Sequence, residues 1–286
     1  MRHLLSACLL LLCSLALPSL SQAAECTEIT NPYTQLGASG HYCLGANLAV
    51  TTTSMNVISI TANDVDFDCR GYSIVNNSTD PTSDAVGVHI YNHRNVHVRN
   101  CHIQGGFMAG IYAYQDNGQA NLNRNLSFAG NTISGTTWFG ILAYGTDIEI
   151  RDNLIYDVGG RASFAMGIRV GSSILAGQRR SFMVRDNVIR SVASPVNYGY
   201  GIYANNANAS TFTGNTITDT RGDATWFGYG IKIAQGGNNM LLRNQIIGYG
   251  DGYAVGIFAP ATDACYENHI RADYKTLSCD ASLGNY

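Results

Sequence analysis

One short phrase recurs along the chain and restricts what it can fold into. It appears as Gly87-Val88-His89-Ile90, Gly110-Ile111-Tyr112-Ala113, Gly140-Ile141-Leu142-Ala143, Gly167-Ile168-Arg169-Val170, Gly201-Ile202-Tyr203-Ala204, Gly230-Ile231-Lys232-Ile233 and Gly256-Ile257-Phe258-Ala259. A second phrase follows each of the later copies: Asn131-Thr132-Ile133, Asn153-Leu154-Ile155, Asn187-Val188-Ile189, Asn215-Thr216-Ile217, Asn244-Gln245-Ile246 and Asn268-His269-Ile270. In Cys101-His102-Ile103 a cysteine takes the asparagine position. Between the two phrases lies an alternating stretch, for example Val96-His97-Val98, Leu126-Ser127-Phe128, Ile148-Glu149-Ile150 and Phe182-Met183-Val184. Apolar residues at every second position are the signature of half-buried strands.

Each repeat therefore holds three short strands. Successive asparagines stand 22 residues apart between 131 and 153 and 34 apart between 153 and 187, so the excess lies in loops. Such a unit cannot bury its apolar side alone. Stacking units so that each strand pairs in parallel with its counterpart one turn on, at ~4.8 Å, gives a coil filled by columns of Val, Ile, Leu and Phe. The asparagine suits a tight bend, with its side chain bonding the equivalent group of the next turn.

With 286 residues, 31 glycines and 13% charged residues, the chain has room for one large buried core and little for a disordered tail. Met1-Arg2-His3, an apolar run from Leu4 to Leu17, and Ser21-Gln22-Ala23 read as a signal peptide over 1–23. That apolar run is shorter than the ~20 residues a membrane span requires, and no membrane contact is expected once the leader is removed. Lys and Arg number 17 against 20 Asp and Glu, and Arg2 leaves with the leader, a balance that argues against nucleic acid as partner. Of eight cysteines, Cys8 and Cys13 lie in the leader; the six others suit an oxidising compartment, and the pairs expected are Cys26 with Cys43, Cys69 with Cys101, and Cys265 with Cys279. No Cys-x-x-Cys supports zinc, and His89, His93 and His97, spaced as on a helix, diverge on strands, so no metal site is expected.

The phrases Val65-Asp66-Phe67-Asp68-Cys69-Arg70-Gly71-Tyr72-Ser73-Ile74 and Val98-Arg99-Asn100-Cys101-His102-Ile103, with the Gly-Ile and Asn-x-Ile alternation, resemble the secreted right-handed parallel β-helix proteins of the pectate-lyase-like superfamily. The resemblance runs from about Leu44 to Ile270 and implies an all-β, right-handed parallel β-helix. The expected organisation is an N-terminal cap over 24–56, about eight turns over 57–270, and a C-terminal segment over 271–286, as a secreted or periplasmic monomer. The superfamily spans several reactions. Its epimerase signature Asp-Pro-His-Asp is absent here, the one Asp-Pro being Asp80-Pro81-Thr82, and no triple-aspartate set of the polygalacturonase kind is present.

If the isoleucine of Gly-Ile points inward, the next residue points outward, giving the column His89, Tyr112, Leu142, Arg169, Tyr203, Lys232, Phe258, with Tyr91, Tyr114 and Tyr144 in the column beside it. Aromatic faces beside fixed cations can stack sugar rings and hold carboxylates. In the resembled family the sugar groove runs along this strand face, walled by the loops that here bring Trp138, Tyr198, Trp226, Tyr253, Asp84, Arg161, Asp223 and Asp251. The reading is a protein acting on an acidic polysaccharide, most readily by β-elimination at a uronic acid, with a carbohydrate-binding protein without catalysis as the alternative. Elimination requires a cation on the carboxylate, a base and an acid. Arg169 is the candidate neutraliser, Lys232 or Tyr203 the base, and Tyr203 or Tyr112 the acid. His89, Trp138, Tyr144, Trp226, Asp223 and Asp251 are the candidate substrate contacts, with calcium a possible addition. Asp223 and Asp251 each adjoin a glycine, which turn chemistry also explains. Arg99, Arg151 and Arg185, near Asp152 and Asp186, read as surface ion pairs.

Overall fold

The computed structural model describes residues 25–115, 123–171, 181–248, 253–277 and 279. Among them every regular element is a strand, and three parallel sheets of ten, nine and ten strands wind round one interior as a right-handed parallel β-helix. The repeated phrases sort cleanly. The Gly-Ile strands form one sheet, including Val86–Tyr91, Ala109–Tyr114, Phe139–Tyr144, Ala165–Gly171, Gly199–Asn205, Gly228–Ile233 and Ala254–Phe258. The alternating strands form the second, and the Asn-x-Ile strands the third. Pairing matches phrase to phrase: Val88, Ile111, Ile141, Ile168, Ile202, Ile231 and Ile257 are register partners from one turn to the next.

The stretch 24–56, expected as a cap, contributes Thr27–Ile29, Thr34–Leu36, Gly40–Leu44 and Leu48–Val50 to these same three sheets, and Asn56–Ile60 crosses its boundary. At the other end Tyr274–Leu277 pairs with Ala254–Phe258. These end strands carry the coil past the roughly eight turns counted from the phrases.

The interior is three apolar columns, one per sheet. The seven register-paired residues above are fully buried, as are Ile103, Ile133, Ile155, Ile189 and Ile217 of the asparagine sheet and Phe67, Phe128 and Phe212 of the alternating sheet. Each such side chain contributes about 1.5–3 kcal/mol on burial. The repeated glycine is required by closeness. A Cβ on any of Gly87, Gly110, Gly140, Gly167, Gly201, Gly230 or Gly256 would stand 2.3–2.6 Å from the Cγ2 of an interior isoleucine of the asparagine sheet.

The asparagines form a buried ladder. The backbone N–H of Asn131, Asn153, Asn187, Asn215 and Asn244 each donates to the Oδ1 of the next asparagine in the series, at 2.9–3.2 Å, and each Nδ2 donates to the same oxygen. The bend itself falls one residue earlier than expected. Asn100, Gly130, Asp152, Asp186, Gly214, Arg243 and Glu267, each preceding a ladder position, have φ of 48–64°. The left-handed residue turns the chain, and the asparagine then satisfies the backbone groups that the turn leaves buried. Cys101 heads the series, its N–H donating to Asn131 Oδ1 at 3.0 Å and its sulfur bonded to Cys69. All three expected disulfides are formed, the others being Cys26–Cys43 and Cys265–Cys279. Among the described residues no helix is long and apolar enough to cross a membrane.

Candidate functional site

The residues after Gly-Ile stack as expected. His89 pairs with Tyr112, Tyr112 with Leu142, Leu142 with Arg169, Arg169 with Tyr203, Tyr203 with Lys232 and Lys232 with Phe258, each one rung from the next. Arg169 and Lys232 are thus two rungs apart, ~10 Å, with Tyr203 between them. All of the column faces away from the interior, yet it is not the solvent-facing ridge the alternation suggested. Leu142 is buried, and Tyr112, Arg169, Tyr203, Lys232 and Phe258 are half-buried.

The cover comes from a column that period-two counting misplaces. Val86, Ala109, Phe139, Met166, Tyr200, Tyr229 and Val255, each just before the glycine, form an apolar cluster outside the sheet, and Trp138, Phe164, Tyr198 and Phe227 pack against it from the loops. Strict alternation would send Tyr200 and Tyr203 to opposite faces, because they are three apart. A Cβ on Gly201 would run into Ile217, so the glycine takes an inward position without filling it and both tyrosines emerge outside, with ring centroids 5.1 Å apart. The signal was present in Gly199-Tyr200-Gly201-Ile202 and Gly228-Tyr229-Gly230-Ile231, where a large residue sits between two glycines.

Lys232 lies within a ring of aromatics. Its Nζ is 4.6 Å from the Tyr229 centroid, 5.3 Å from Phe258, 5.5 Å from Tyr198 and 5.6 Å from Tyr200. Burial pushes its ammonium below the ordinary lysine range. The Arg169 guanidinium stands over Tyr144 at 5.4 Å, Tyr203 at 5.6 Å and Phe139 at 5.9 Å, and its buried Nε–H has no acceptor. Among the described residues neither cation makes an ion pair. Burial lifts the Tyr112 hydroxyl to about 12, with Tyr144 and Tyr114 adding to the rise and Arg169 opposing it. Burial also raises Tyr144 and, most strongly, Tyr200. All three are phenols, hence donors, at neutral pH.

The expected substrate contacts divide. His89 packs edge-on against Tyr112 at 5.6 Å, and burial lowers its pKa. Tyr91 and Tyr114 stack at 5.6 Å beside it. Trp138 stacks on Phe139 at 4.5 Å with its Nε1–H buried and without an acceptor. Arg161 lies over Trp138 at 4.8 Å and reaches Asp84 at 3.0 Å, tying two loops together. Trp226, exposed, meets Tyr198 edge-on at 4.6 Å and so extends the wall beside Lys232. Asp223 does something else: its Oδ1 accepts from Thr225 N at 2.7 Å and Thr225 Oγ1 at 2.8 Å, which holds its carboxyl low and closes a turn. Asp251 lies outside the described residues.

The outer face of the alternating sheet is built on different terms. Arg99 binds Asp66 at 2.9 Å and Asp68 at 3.2 Å, Arg151 binds Asp152 at 2.7 Å and Glu149 at 3.4 Å, and Arg185 binds Glu149 at 2.9 Å and Asp186 at 3.0 Å. A depression there is lined by Asp66, His97, Arg99, Ser127, Ala129 and Arg151. As for metals, all six cysteines of the described part are in disulfides, and among the described residues no three His, Cys, Asp or Glu gather so as to hold an ion.

Solved structures similar to this chain include tailspike protein 2 of the Escherichia coli O157:H7 bacteriophage CAB120, at 12% identity and a TM-score of 0.43 over 88% of this chain and 42% of that one. Another is the A-module of the Azotobacter vinelandii mannuronan C-5 epimerase AlgE4, at 12% identity and a TM-score of 0.36 over 86% of this chain and 78% of that one. The chain thus spans less than half the length of the tailspike it matches. No curated protein matches it. A family model described as periplasmic copper-binding protein (NosD) matches residues 23–275, from the first strands of the coil to its last rung. With phrase-for-phrase stacking over that same span, this chain belongs to the NosD family of periplasmic β-helix proteins.

Proposed function

We propose that the outer face of the Gly-Ile sheet binds an acidic polysaccharide and cleaves it by β-elimination at a uronic acid. One observation carries this reading: the face sets two half-buried cations, Arg169 and Lys232, which make no ion pair among the described residues, on a wall of aromatic rings. A ligand matching it is rich in acceptors, carries negative charge and presents flat faces. A uronan has all three properties. Arg169 neutralises the carboxylate and so acidifies the neighbouring C–H; Lys232, its proton held weakly by burial, takes that hydrogen; Tyr203 or Tyr112 gives a proton to the leaving glycosidic oxygen. His89, Tyr144, Trp138 and Trp226 supply the stacking wall. Asp223 keeps its turn and has no part in this chemistry.

The family name implies copper, but the described donors do not gather into a site that fits it, so no step runs through copper. Calcium enters only as an addition to be tested with and without chelator. A second reading, binding without cleavage, is favoured by the four rings round Lys232, which hold its amine as a cation site as readily as a base. Purified protein incubated with pectate, alginate and glycosaminoglycans, followed by the ultraviolet absorbance of an unsaturated sugar, separates the two. Growth of that signal, lost in Lys232→Ala, supports elimination. Retention on immobilised polymer without product supports binding alone, and neither result ends both.

A further inference from the structure

A different set of residues sits on the outer face of the alternating sheet, where register pairing places an acid, an imidazole and a hydroxyl on three successive rungs. Asp66 of Val65–Asp68 pairs with His97 of Arg94–Arg99, and His97 pairs with Ser127 of Arg124–Ala129. Their side chains line one depression. Its cause is local: Ser127 and Ala129 are small, while the flanking rungs carry His97 and Arg99 on one side and Glu149 and Arg151 on the other. The result is a gap one rung wide with a hydroxyl on its floor and a guanidinium on each side.

We propose that Ser127 is the nucleophile of a second active centre, a carboxylic-ester hydrolase, with His97 as its base and Asp66 positioning the imidazole. Asp66 is held by both oxygens, Arg99 Nε at 3.2 Å and Arg99 Nη2 at 2.9 Å, with His41 Nδ1 3.6 Å from Oδ2 on the far side, which fixes its carboxylate one rung from His97. His97 is exposed and has no hydrogen-bond or ion-pair partner among the described residues, so its ring is free to turn to Ser127, ~5 Å away along the sheet. The rival base is Glu149, whose Oε2 is 3.5 Å from Ser127 Oγ. Glu149 is already engaged by Arg185 at 2.9 Å and Arg151 at 3.4 Å, which hold its carboxylate in place.

In the reaction Ser127 Oγ attacks the ester carbonyl while its proton passes to His97. The bond to the alcohol oxygen breaks, and that alkoxide leaves with the proton from His97. Water, deprotonated by His97, then releases the acid from Ser127, so ester and water become acid and alcohol. Arg99 and Arg151 line the depression while each stays paired with carboxylates, so the ligand class is a carboxylic ester small enough to enter a gap one rung wide.

The test uses a fluorophosphonate probe and p-nitrophenyl acetate on the full exported chain, and so is independent of polymer cleavage in the Gly-Ile groove. Mass spectrometry should find the probe on Ser127, and Ser127→Ala should remove it. His97→Gln should slow labelling and ester turnover by about 100-fold or more, while Glu149→Gln changes them less than about threefold. Asp66→Asn should lower kcat for p-nitrophenyl acetate by about tenfold at unchanged KM, with Asp66→Glu restoring part of it; an unchanged kcat removes the positioning role. Probe absent from Ser127, or Glu149→Gln producing the loss assigned to His97→Gln, overturns the assignment. Thermal melts matching the parent protein show that each variant is folded.

Discussion

The coil presents two outer faces made by the same rule, residues alternating outward from stacked parallel strands, and they treat positive charge in opposite ways. On the alternating sheet Arg99, Arg151 and Arg185 each meet carboxylates on their own or a neighbouring rung. On the Gly-Ile sheet Arg169 and Lys232 stand over aromatic rings and, among the described residues, make no ion pair. A half-buried cation without an anion costs free energy unless something else repays it. The first face pairs its charges with carboxylates of the fold, whereas the second surrounds them with aromatic rings. Position in the fold is equal; partner chemistry differs.

The largest effect that sharpens this contrast is on the groove. Lys232→Ala and Arg169→Ala should each lower uronan cleavage by about 10²–10⁴-fold, read as the initial rate of unsaturated product, while Arg185→Ala leaves that rate within about twofold. If Arg185→Ala impairs cleavage as strongly, the division between faces fails. The groove rate should also rise with pH through the Lys232 pKa, which burial sets below the ordinary lysine value. A flat pH–rate profile across that range removes the amine as base.

Stability should show the converse. Asn187→Ala strips an acceptor from the N–H and Nδ2 of Asn153 and two donors from its neighbours, all buried, and should cost about 3 kcal/mol by denaturant titration. Gly167→Ala forces a Cβ to within 2.6 Å of Ile189 Cγ2 and 2.7 Å of the Gly201 carbonyl, for about 1–3 kcal/mol. Arg185→Ala, in a partly exposed pair, should cost no more than about 1 kcal/mol.

The smallest effect concerns a shorter ladder, Ser210 to Asn239 to Asp263, which ends on a fully buried carboxylate. Burial raises the folded-state pKa of Asp263, against the lowering by Asn239 hydrogen bonds. A raised acid contributes stability below its unfolded pKa and loses it as pH rises through the folded one. Asp263→Asn, matching the neighbouring asparagine ladder, should therefore raise the melting temperature slightly at pH 7 and leave it near unchanged at pH 4. A lower melting temperature at pH 7 would show that the carboxylate is needed ionised.

The protein is secreted or periplasmic, in keeping with its family and with three disulfides that form only under oxidising conditions. Much of its architecture was legible in the chain. Recurrent phrases marked the three strands, their register and the outward column through Arg169, Tyr203 and Lys232, because stacking places equal phrases side by side. The pairs Cys26–Cys43, Cys69–Cys101 and Cys265–Cys279 also followed. The repeat did not mark the first rungs before residue 57, which carry no Gly-Ile phrase.

Sequence alone decided the coil, since a periodic pattern of apolar residues has one way to bury them all. Only the tertiary structure decided what surrounds each outward residue. A glycine that takes an inward place without a side chain turned Tyr200 and Tyr229 outside, where they cover Lys232. Small residues on one strand between large ones on the next opened the gap at Ser127. Both depend on neighbours one turn away, two to three dozen residues off in the chain, which periodicity can align but whose shapes only meet once the turns are stacked.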